Sequence, residues 1–385
     1  MAFVPAHQAR PGLRAALVTT FLTDALLGPH AANAKPQQIV EIPVTFDVLN
    51  VIRSGVACPT DGGQYHVGGH LVASTDALRD ADAATVYLPG AIATERSAWR
   101  QKGFDGRYDM ATGMARLGHL SVVINRLAFD TSGTPNGFLS CIGGEADVVN
   151  QVIGRLRAGT YEFGTLEEAD DPRSRGPRHG DSPRAESVAF DRVALAGQSY
   201  GGFLATVTAH SFANVDALIL IASAVEQGMP PKVVASVAQH TTEECGTGGL
   251  PKREGGPGGY THLIGLFDEF FGEMEPPIKA DFIARAEREP CGLVASIGSA
   301  VAANRVGAGT IDVPVLLVGA ENDWAFPPDA MRSQHAMFTG ADDTSLVFIE
   351  NAGHTVMIER GLADGLTASE RLRLSLSAWL TPRGF

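Results

Sequence analysis

Residues 193–202 read VALAGQSYGG, a short apolar run followed by a glycine-rich turn with Ser199 at its centre. The helix-compatible run Phe203–His210 follows directly. A serine in a G-x-S-x-G turn between a strand and a helix has an exposed hydroxyl, because the small flanking residues let the chain bend tightly. The helix start also directs backbone N–H groups toward a developing anion. This stretch predicts a buried strand, a nucleophilic Ser199 and a helix, in that order.

Similar apolar runs recur along the chain, and helix-compatible stretches separate them. Continuous apolar runs are typical of strands that are buried on both faces of a parallel sheet. Helices between such strands predict right-handed crossovers and a layered α/β domain. A hairpin is predicted before them, at residues 40–56 and 64–74, because the intervening Thr60-Asp61-Gly62-Gly63 is a turn signal. The later predicted strands are Ala84–Leu88, Ser121–Asn125, Arg192–Ala196, Ala217–Ile221, Val313–Val318 and Ser345–Ile349.

Two segments interrupt this alternation. Residues 165–190 combine acidic pairs, arginines, prolines and glycines without an apolar face, so we expect a solvated loop there. Residues 223–310 are too long for a plain crossover and carry apolar residues at helical spacing. We therefore predict a helical cap over 223–310, inserted into a core formed by residues 35–222 and 311–385. The cap residues that show this spacing are Leu263, Leu266, Phe267, Phe270 and Phe271.

The composition excludes several classes of protein. The chain has 385 residues, 44% of them hydrophobic and 19% charged, so it can bury a sizeable core. Its net charge of −13 argues against nucleic acid or an anionic membrane surface as the main partner. No uninterrupted apolar run reaches the roughly 18 residues of a spanning helix, which argues against an integral membrane protein. The four cysteines lack the CxxC spacing of a zinc ribbon.

The first 34 residues have the layout of a secretory signal peptide. Basic residues precede an apolar stretch, Ala15–Leu27, and Ala32-Asn33-Ala34 has the small-x-small pattern of a cleavage site. Asp24 interrupts the apolar stretch, so the alternative is a frayed N-terminal helix on a cytoplasmic protein. We expect residues 1–34 to be removed and the protein to be secreted.

Secretion would place the four cysteines in an oxidising compartment, where an even number favours pairing. Cys245 and Cys291 fall within one segment and could be joined, which leaves Cys58 with Cys141. The alternative is four buried thiols, which pack as small hydrophobic side chains.

Ser199 needs a general base, because a serine hydroxyl is a weak nucleophile at neutral pH. Histidine suits this role, since its ordinary pKa of about 6.5 leaves it largely neutral at pH 7. Among the 11 histidines, His354 is singled out by its loop directly after the last predicted strand. A carboxylate must orient the imidazole. Asp323 follows the preceding strand, with Glu321 as a competitor two residues away, and we predict Asp323 because it lies deeper in the loop, where it could reach toward the last strand. The order Ser199, Asp323, His354 is that of one serine-hydrolase architecture.

A tetrahedral intermediate also needs two N–H donors for its oxyanion. The backbone N–H of Tyr200, the residue after the nucleophile, is one candidate. The second should come from the turn Leu88-Pro89-Gly90-Ala91 after an earlier strand, and we assign it to the N–H of Ala91.

In the order of these elements, residues 40–380 resemble the α/β-hydrolase superfamily, and specifically its esterase- and lipase-like members with a cap between two late strands. Leu88–Ala91 resembles the family's His-Gly-x oxyanion loop, with Pro89 in place of the histidine. Asn125–Ser132 is similar to the family's Asp-Arg-x-Gly-x-Gly-x-Ser loop, with alanine and aspartate in place of the glycines. The resemblance implies an eight-stranded, mostly parallel sheet that is flanked by helices and has an antiparallel first hairpin.

Ser199 at the elbow argues against the dehalogenases and epoxide hydrolases of this superfamily, which use a carboxylate nucleophile. We expect a serine hydrolase that cleaves a small-molecule carboxylic ester or lactone through an acyl-enzyme, without a metal or an organic cofactor. One alternative is an aminopeptidase or amidase of the same fold, which would need an acidic pocket for a free amine. The other is a small-molecule-binding protein that kept the fold. Carboxylates for an amine pocket are available at Glu243, Glu244, Asp268, Glu269, Glu273 and Glu275.

Overall fold

A computed structural model of the protein describes residues 38–164, 187–225, 231–263 and 272–385. Several features predicted from the sequence lie outside these described residues. They are the signal peptide at 1–34, most of the loop at 165–190, and the cap residues Leu266, Phe267, Asp268, Glu269, Phe270 and Phe271.

The described residues contain eleven strands. They are β1 (Ile39–Leu49), β2 (Gln64–Ser74), β3 (Ala83–Leu88), β4 (Ser121–Ile124), β5 (Glu162–Phe163), β6 (Arg192–Gln198), β7 (Ala217–Ile221), β8 (Tyr260–Thr261), β9 (Glu289–Pro290), β10 (Val315–Ala320) and β11 (Thr344–Ile349). Nine of them form one sheet in the order β11-β10-β7-β6-β3-β4-β2-β1-β5, and β8 pairs with β9 separately. The six strands β11, β10, β7, β6, β3 and β4, which are consecutive in the sheet, pair in parallel. Strands β2, β1 and β5 extend the sheet beyond β4 with antiparallel pairing. The predicted mostly parallel sheet with an antiparallel first hairpin is confirmed.

The sheet has nine strands where the family resemblance implied eight, and the difference lies at one edge. Strand β5 comprises only two residues and pairs antiparallel with β1. Two residues are too few to give an alternating or a continuous apolar pattern, so the sequence carries no signal for this strand. Aromatic packing supports the pairing, because the ring of Tyr161 stacks on Phe46 at 5.1 Å and meets Phe163 edge-on at 5.5 Å between centroids.

Helices cover both faces of the sheet. Among the described residues they are α1 (Thr75–Arg79), α2 (Glu95–Ala98), α3 (Met110–Arg116), α4 (Ile142–Ala158), α5 (Tyr200–Phe212), α6 (Pro231–Gly246), α7 (Pro276–Arg285), α8 (Cys291–Gly307), α9 (Pro328–His335) and α10 (Ala368–Leu380). Side chains of α4, α5, α8 and α9 pack on one face, and those of α3 and α10 on the other. Along β6, Leu195 enters the first core while Ala194 and Ala196 enter the second. Burial on both faces explains why the strands are continuous apolar runs.

The segment between β7 and β10 contains α6, α7, α8 and the β8–β9 pair. Helix α8 packs against α4 and α5 beside the sheet. One described stretch, Cys291–Thr310, which includes α8, is long and apolar enough by composition to span a bilayer. In the structure, 39% of its most apolar 18-residue window is buried.

The structure joins the four cysteines in two disulfide bonds, in the pairs expected from the sequence rather than as four thiols. Cys58 bonds to Cys141, which links the β1–β2 connection to the residue before α4. Cys245 bonds to Cys291, which links the end of α6 to the start of α8. The second bond therefore ties together two helices of the segment between β7 and β10.

Replacing both Cys58 and Cys141 with alanine should lower the free energy of unfolding by roughly 2–5 kcal/mol. The bond closes a loop over a sequence separation of 83 residues and so restricts the unfolded chain. Urea unfolding of the oxidised wild type and the double variant, followed by circular dichroism, measures the difference. Equal stability of the two proteins would show that these thiols are not joined.

Candidate active site

Ser199 lies at the turn between β6 and α5. Its φ of 52° and ψ of −120° lie outside the regions that residues with side chains usually adopt. Glycines make the turn possible: a Cβ on Gly197 would lie 2.2 Å from the carbonyl carbon of Gly201. A Cβ on Gly201 would lie 2.5 Å from the carbonyl oxygen of Leu88. The G-x-S-x-G turn thus requires glycine at both of its ends.

The structure brings Ser199, His354 and Asp323 together at the carboxyl edge of the sheet. His354 Nε2 lies 2.8 Å from Ser199 Oγ, and His354 Nδ1 lies 3.0 Å from Asp323 Oδ2. A carboxylate only accepts hydrogen bonds, so Nδ1 of the neutral imidazole carries the proton and Nε2 is free to accept one. The arrangement therefore allows His354 to take the proton of the Ser199 hydroxyl.

Asp323 rather than Glu321 contacts the imidazole. The Asp323 side chain is fully buried, and its Oδ1 accepts hydrogen bonds from the N–H groups of Ala325 at 2.8 Å and Phe326 at 3.0 Å. These two donors fix the carboxylate with Oδ2 toward His354. Glu321 is exposed and accepts the N–H of a residue in the His354 loop, at 3.2 Å. The structure therefore places Asp323, the acid predicted from its position in the loop, against the imidazole and directs Glu321 elsewhere.

The turn that carries Ala91 lies beside the serine. A Cβ on Gly90 would lie 2.3 Å from Gln198 Oε1 and 3.4 Å from Ser199 Cβ, so only glycine allows this approach. Ala91 and Tyr200 both line the cavity at Ser199. The Gln198 side chain also donates to the carbonyl oxygen of His354 at 2.9 Å, which connects the elbow to the histidine loop. Both residues that were predicted to supply oxyanion donors thus line the cavity that contains Ser199.

Glu359 is a site residue that the sequence analysis missed. Its fully buried carboxylate accepts the N–H of Gly353 at 2.5 Å, the N–H of Thr355 at 2.8 Å and the Thr355 hydroxyl at 2.7 Å. It therefore holds the residues on both sides of His354. Burial raises the pKa of the Glu359 carboxyl, although these hydrogen bonds oppose the shift. In the sequence Glu359 is a single acidic residue after the apolar run 356–358, and such a residue gives no sign of its partners.

An apolar cavity of about 370 Å³ opens at Ser199 and His354. Helix α6 contributes side chains at positions i, i+3, i+4 and i+7, a spacing that the sequence already contained and the sequence analysis did not use. Among the described residues, no group of three or more His, Cys, Asp or Glu is suited to hold a metal ion. The apolar wall comprises Ile92, Phe203, Val234, Val237, Ala238, Leu263, Phe282, Leu293, Val294, Ile297, Phe326 and Met357.

Glu359→Gln should slow the modification of Ser199 by a fluorophosphonate by about 10–100-fold, because an amide cannot accept all three hydrogen bonds that hold the His354 loop. The second-order labelling rate, measured by intact mass, tests this. Glu370→Gln is the matched control, since Glu370 accepts similar bonds from the N–H and hydroxyl of Thr367 at the start of α10. Equal labelling rates for the two variants would contradict a role for Glu359 in holding the loop.

Comparison with known proteins agrees with the fold. The sequence profile of the alpha/beta hydrolase family matches residues 85–364. A malate-bound esterase from Thermogutta terrifontis superposes with a TM-score of 0.54 at 15% identity, covering 87% of this chain and 98% of that one. The enol-lactonase from Burkholderia xenovorans LB400 gives 0.52 at 15%, covering 84% and 98%. An esterase from Exiguobacterium antarcticum gives 0.51 at 17%, covering 86% and 97%. No curated protein has a matching sequence.

At these identities the solved structures establish a shared fold, and the family profile supplies the sequence relationship. The matched range extends from β3 to beyond the histidine loop and contains Ser199, Asp323 and His354. It covers well over half of the chain. The strand order, the serine elbow and the profile lead to one conclusion: this chain belongs to the alpha/beta hydrolase family.

Proposed function

We propose that the protein is a serine hydrolase that cleaves a carboxylic ester or lactone through an acyl-enzyme. The observation that carries the proposal is the chain of contacts from Ser199 Oγ to His354 Nε2, at 2.8 Å, and from His354 Nδ1 to Asp323 Oδ2, at 3.0 Å. A hydroxyl with a neutral imidazole in hydrogen-bond reach, oriented by a buried carboxylate, is the arrangement that activates serine for attack on a carbonyl.

In the proposed reaction, His354 Nε2 takes the proton of Ser199 as Oγ attacks the ester carbonyl carbon. The N–H groups of Tyr200 and Ala91 stabilise the oxyanion that develops on the carbonyl oxygen. The carbon–oxygen bond to the alcohol then breaks, and His354 returns its proton to the leaving oxygen. Water, deprotonated by His354, then attacks the acyl carbon; the bond from that carbon to Ser199 Oγ breaks, and His354 returns the proton to Oγ as the acid leaves. Asp323 holds the imidazole and stabilises its charged form throughout.

The cavity supports a substrate with an apolar acyl or alcohol group. Its walls are mainly aliphatic and aromatic, and an apolar group placed there would leave water at about 25 cal/mol per Å² of buried area. We propose that residues 223–310 act as the cap that selects this group, because α6 and α8 supply much of the wall. Two of the structural neighbours are named esterases and one an enol-lactonase, which favours an ester bond as the target.

The aminopeptidase alternative lacks its acidic pocket among the described residues. Of the described residues that line the cavity, Glu289 is the one with a carboxylate, and Arg126 already pairs with it at 2.6 Å. A free amine would therefore meet a neutralised carboxylate. The small-molecule-binding alternative does not require an activated serine, so serine reactivity distinguishes it from the hydrolase. The other described carboxylates that were considered for an amine pocket lie outside the cavity lining: Glu243, Glu244, Glu273 and Glu275.

Exposure of the protein to a fluorophosphonate should add one adduct to the wild type and none to Ser199→Ala, because only an activated serine reacts readily. Intact mass measures the adduct, and hydrolysis of short esters, lactones and aminoacyl amides should fall to background in the same variant. Ser223→Ala is the matched control: Ser223 is buried beside the elbow at Gly202 and lies outside the cavity lining. A folded wild type that forms no adduct would favour the binding-protein alternative.

We also propose that the protein is secreted after removal of about residues 1–34. The two disulfide bonds support this, because such bonds persist mainly in oxidising compartments. Expression of the full chain in a secreting host should yield an exported protein whose mass corresponds to a start near Lys35. An exported or retained protein that still begins at Met1 would contradict the proposal.

A further inference from the structure

A buried ion cluster lies directly behind the serine elbow, and the reaction steps above do not use it. The Arg126 guanidinium, in the loop after β4, is almost fully buried and bonds both oxygens of Glu289, at 2.6 and 3.1 Å. A second buried carboxylate, Glu145 of α4, lies 3.6 Å from the same guanidinium. Burial alone would lower the pKa of Arg126, but the two carboxylates raise it above its ordinary value. The guanidinium therefore remains charged.

Each carboxylate of this cluster contacts a residue at the proposed oxyanion site: Glu145 contacts Tyr200, and Glu289 contacts Ile92, which follows Ala91. Glu289 accepts the N–H of Ile92, the residue after Ala91. Ile92 has a φ of 57°, a left-handed value that is unfavourable for a β-branched residue and needs a contact to hold it. Glu145 accepts the hydroxyl of Tyr200 at 2.9 Å. Arg126 also stacks on the Tyr200 ring, with 4.6 Å between Cζ and the ring centroid.

The cluster also connects the elbow to the segment between β7 and β10. Glu289 is in β9, which pairs with β8, and it is two residues from the disulfide-bonded Cys291. Lys252, from the same segment, lies 4.0 Å from the centre of the Phe129 ring, and Arg126 lies 4.0 Å from it as well. The oxyanion turn is therefore held by a residue nearly 200 positions farther along the chain.

We infer that Arg126, Glu289 and Glu145 are positioning residues that hold the Ala91 and Tyr200 N–H groups where the oxyanion forms, so that the seated cap segment completes the oxyanion site. This inference rests on the proposed serine-hydrolase function. Glu289 fixes the turn that carries Ala91, Glu145 fixes the side chain of Tyr200, and Arg126 holds the two carboxylates together. Arg126 and Glu145 lie outside the cavity lining, and both oxygens of Glu289 already accept hydrogen bonds from Arg126 or Ile92, so the three residues act through the turn and the elbow.

The test compares Glu289→Gln and Glu145→Gln with Asp147→Asn. Asp147 is a suitable control because it is a buried carboxylate on the same helix as Glu145 and pairs with Arg53, away from the cavity lining. Two quantities are measured on each full-length protein: kcat and KM for a short-chain p-nitrophenyl ester, and the inhibition constant of an aryl boronic acid. The boronic acid accepts a bond from Ser199 Oγ to boron and forms a tetrahedral adduct that uses the oxyanion site.

We expect Glu289→Gln to lower kcat by about 10–100-fold and to weaken boronic acid inhibition by a similar factor. KM should change less than about threefold, because the oxyanion donors stabilise the tetrahedral state and not the bound substrate. Glu145→Gln should give a smaller loss of the same kind. Asp147→Asn should leave kcat and the inhibition constant unchanged, even if its melting temperature falls.

The outcomes separate the two proposals. In one outcome, Glu289→Gln and Glu145→Gln lose thermal stability, as Asp147→Asn does, but keep the wild-type kcat and boronic acid affinity. The three residues of the cluster are then structural, and the inference is overturned. If Glu289→Gln does not fold, the kcat and boronic acid affinity of Glu145→Gln test the inference. Glu145 lies farther from Arg126, at 3.6 Å, than Glu289 does, at 2.6 Å. A wild type that hydrolyses no ester and forms no fluorophosphonate adduct overturns the proposed function itself.

Discussion

The backbone at Ser199 imposes the constraint on which the site depends. A residue with a side chain is held at a φ of 52° between the end of a buried strand and the start of a helix, and this costs conformational energy. Interactions of the surrounding fold offset this energy, because β6 pairs with β3 and β7 on its two sides and α5 packs against the sheet. Neither Gly197 nor Gly201 has room for a Cβ, so the bend cannot relax without separating these elements. The position of the Ser199 hydroxyl at the cavity is thus a consequence of the sheet.

The parallel strand order places the other polar groups at the same edge. Because β6, β7, β10 and β11 are neighbours and run in the same direction, the loops that follow β6, β10 and β11 converge. Local hydrogen bonds then orient each side chain: two backbone N–H groups hold Asp323, and Glu359 holds the residues on both sides of His354. Sheet topology sets the position of these groups, and loop hydrogen bonds set their direction.

The segment between β7 and β10 contributes a buried charged residue, Glu289, to the site in addition to apolar side chains of the cavity wall. A buried carboxylate is costly unless it is paired and fully hydrogen-bonded. Glu289 meets this condition only when it contacts Arg126 and the turn of Ile92 at once. Glu289 therefore joins this segment to both Arg126 and the turn that contains Ala91 and Ile92. The Cys245–Cys291 bond restrains the same region from the other side.

Much of this protein could be predicted from short-range patterns. The elbow sequence at 193–202, the continuous apolar runs and the positions of Asp323 and His354 after strands gave the fold class, the strand positions and the three polar residues that meet. These features are local, because a strand buried on both faces and a tight glycine turn leave a signature in adjacent residues. The sequence also indicated a disulfide pairing, because Cys245 and Cys291 both fall within residues 223–310 and the other two cysteines do not.

The remaining features were decided by the tertiary structure. The two-residue strand β5, the contacts of Glu359 and the ion cluster at Arg126 all depend on contacts between residues that lie apart in the chain or on the exact course of a loop. A single glutamate in a sequence gives no sign of whether it is solvated or paired, because that depends on which distant donors the fold brings to it. Local patterns in the sequence were enough for the main strands and the serine elbow, whereas the pairing of the buried charges behind them depends on the folded chain.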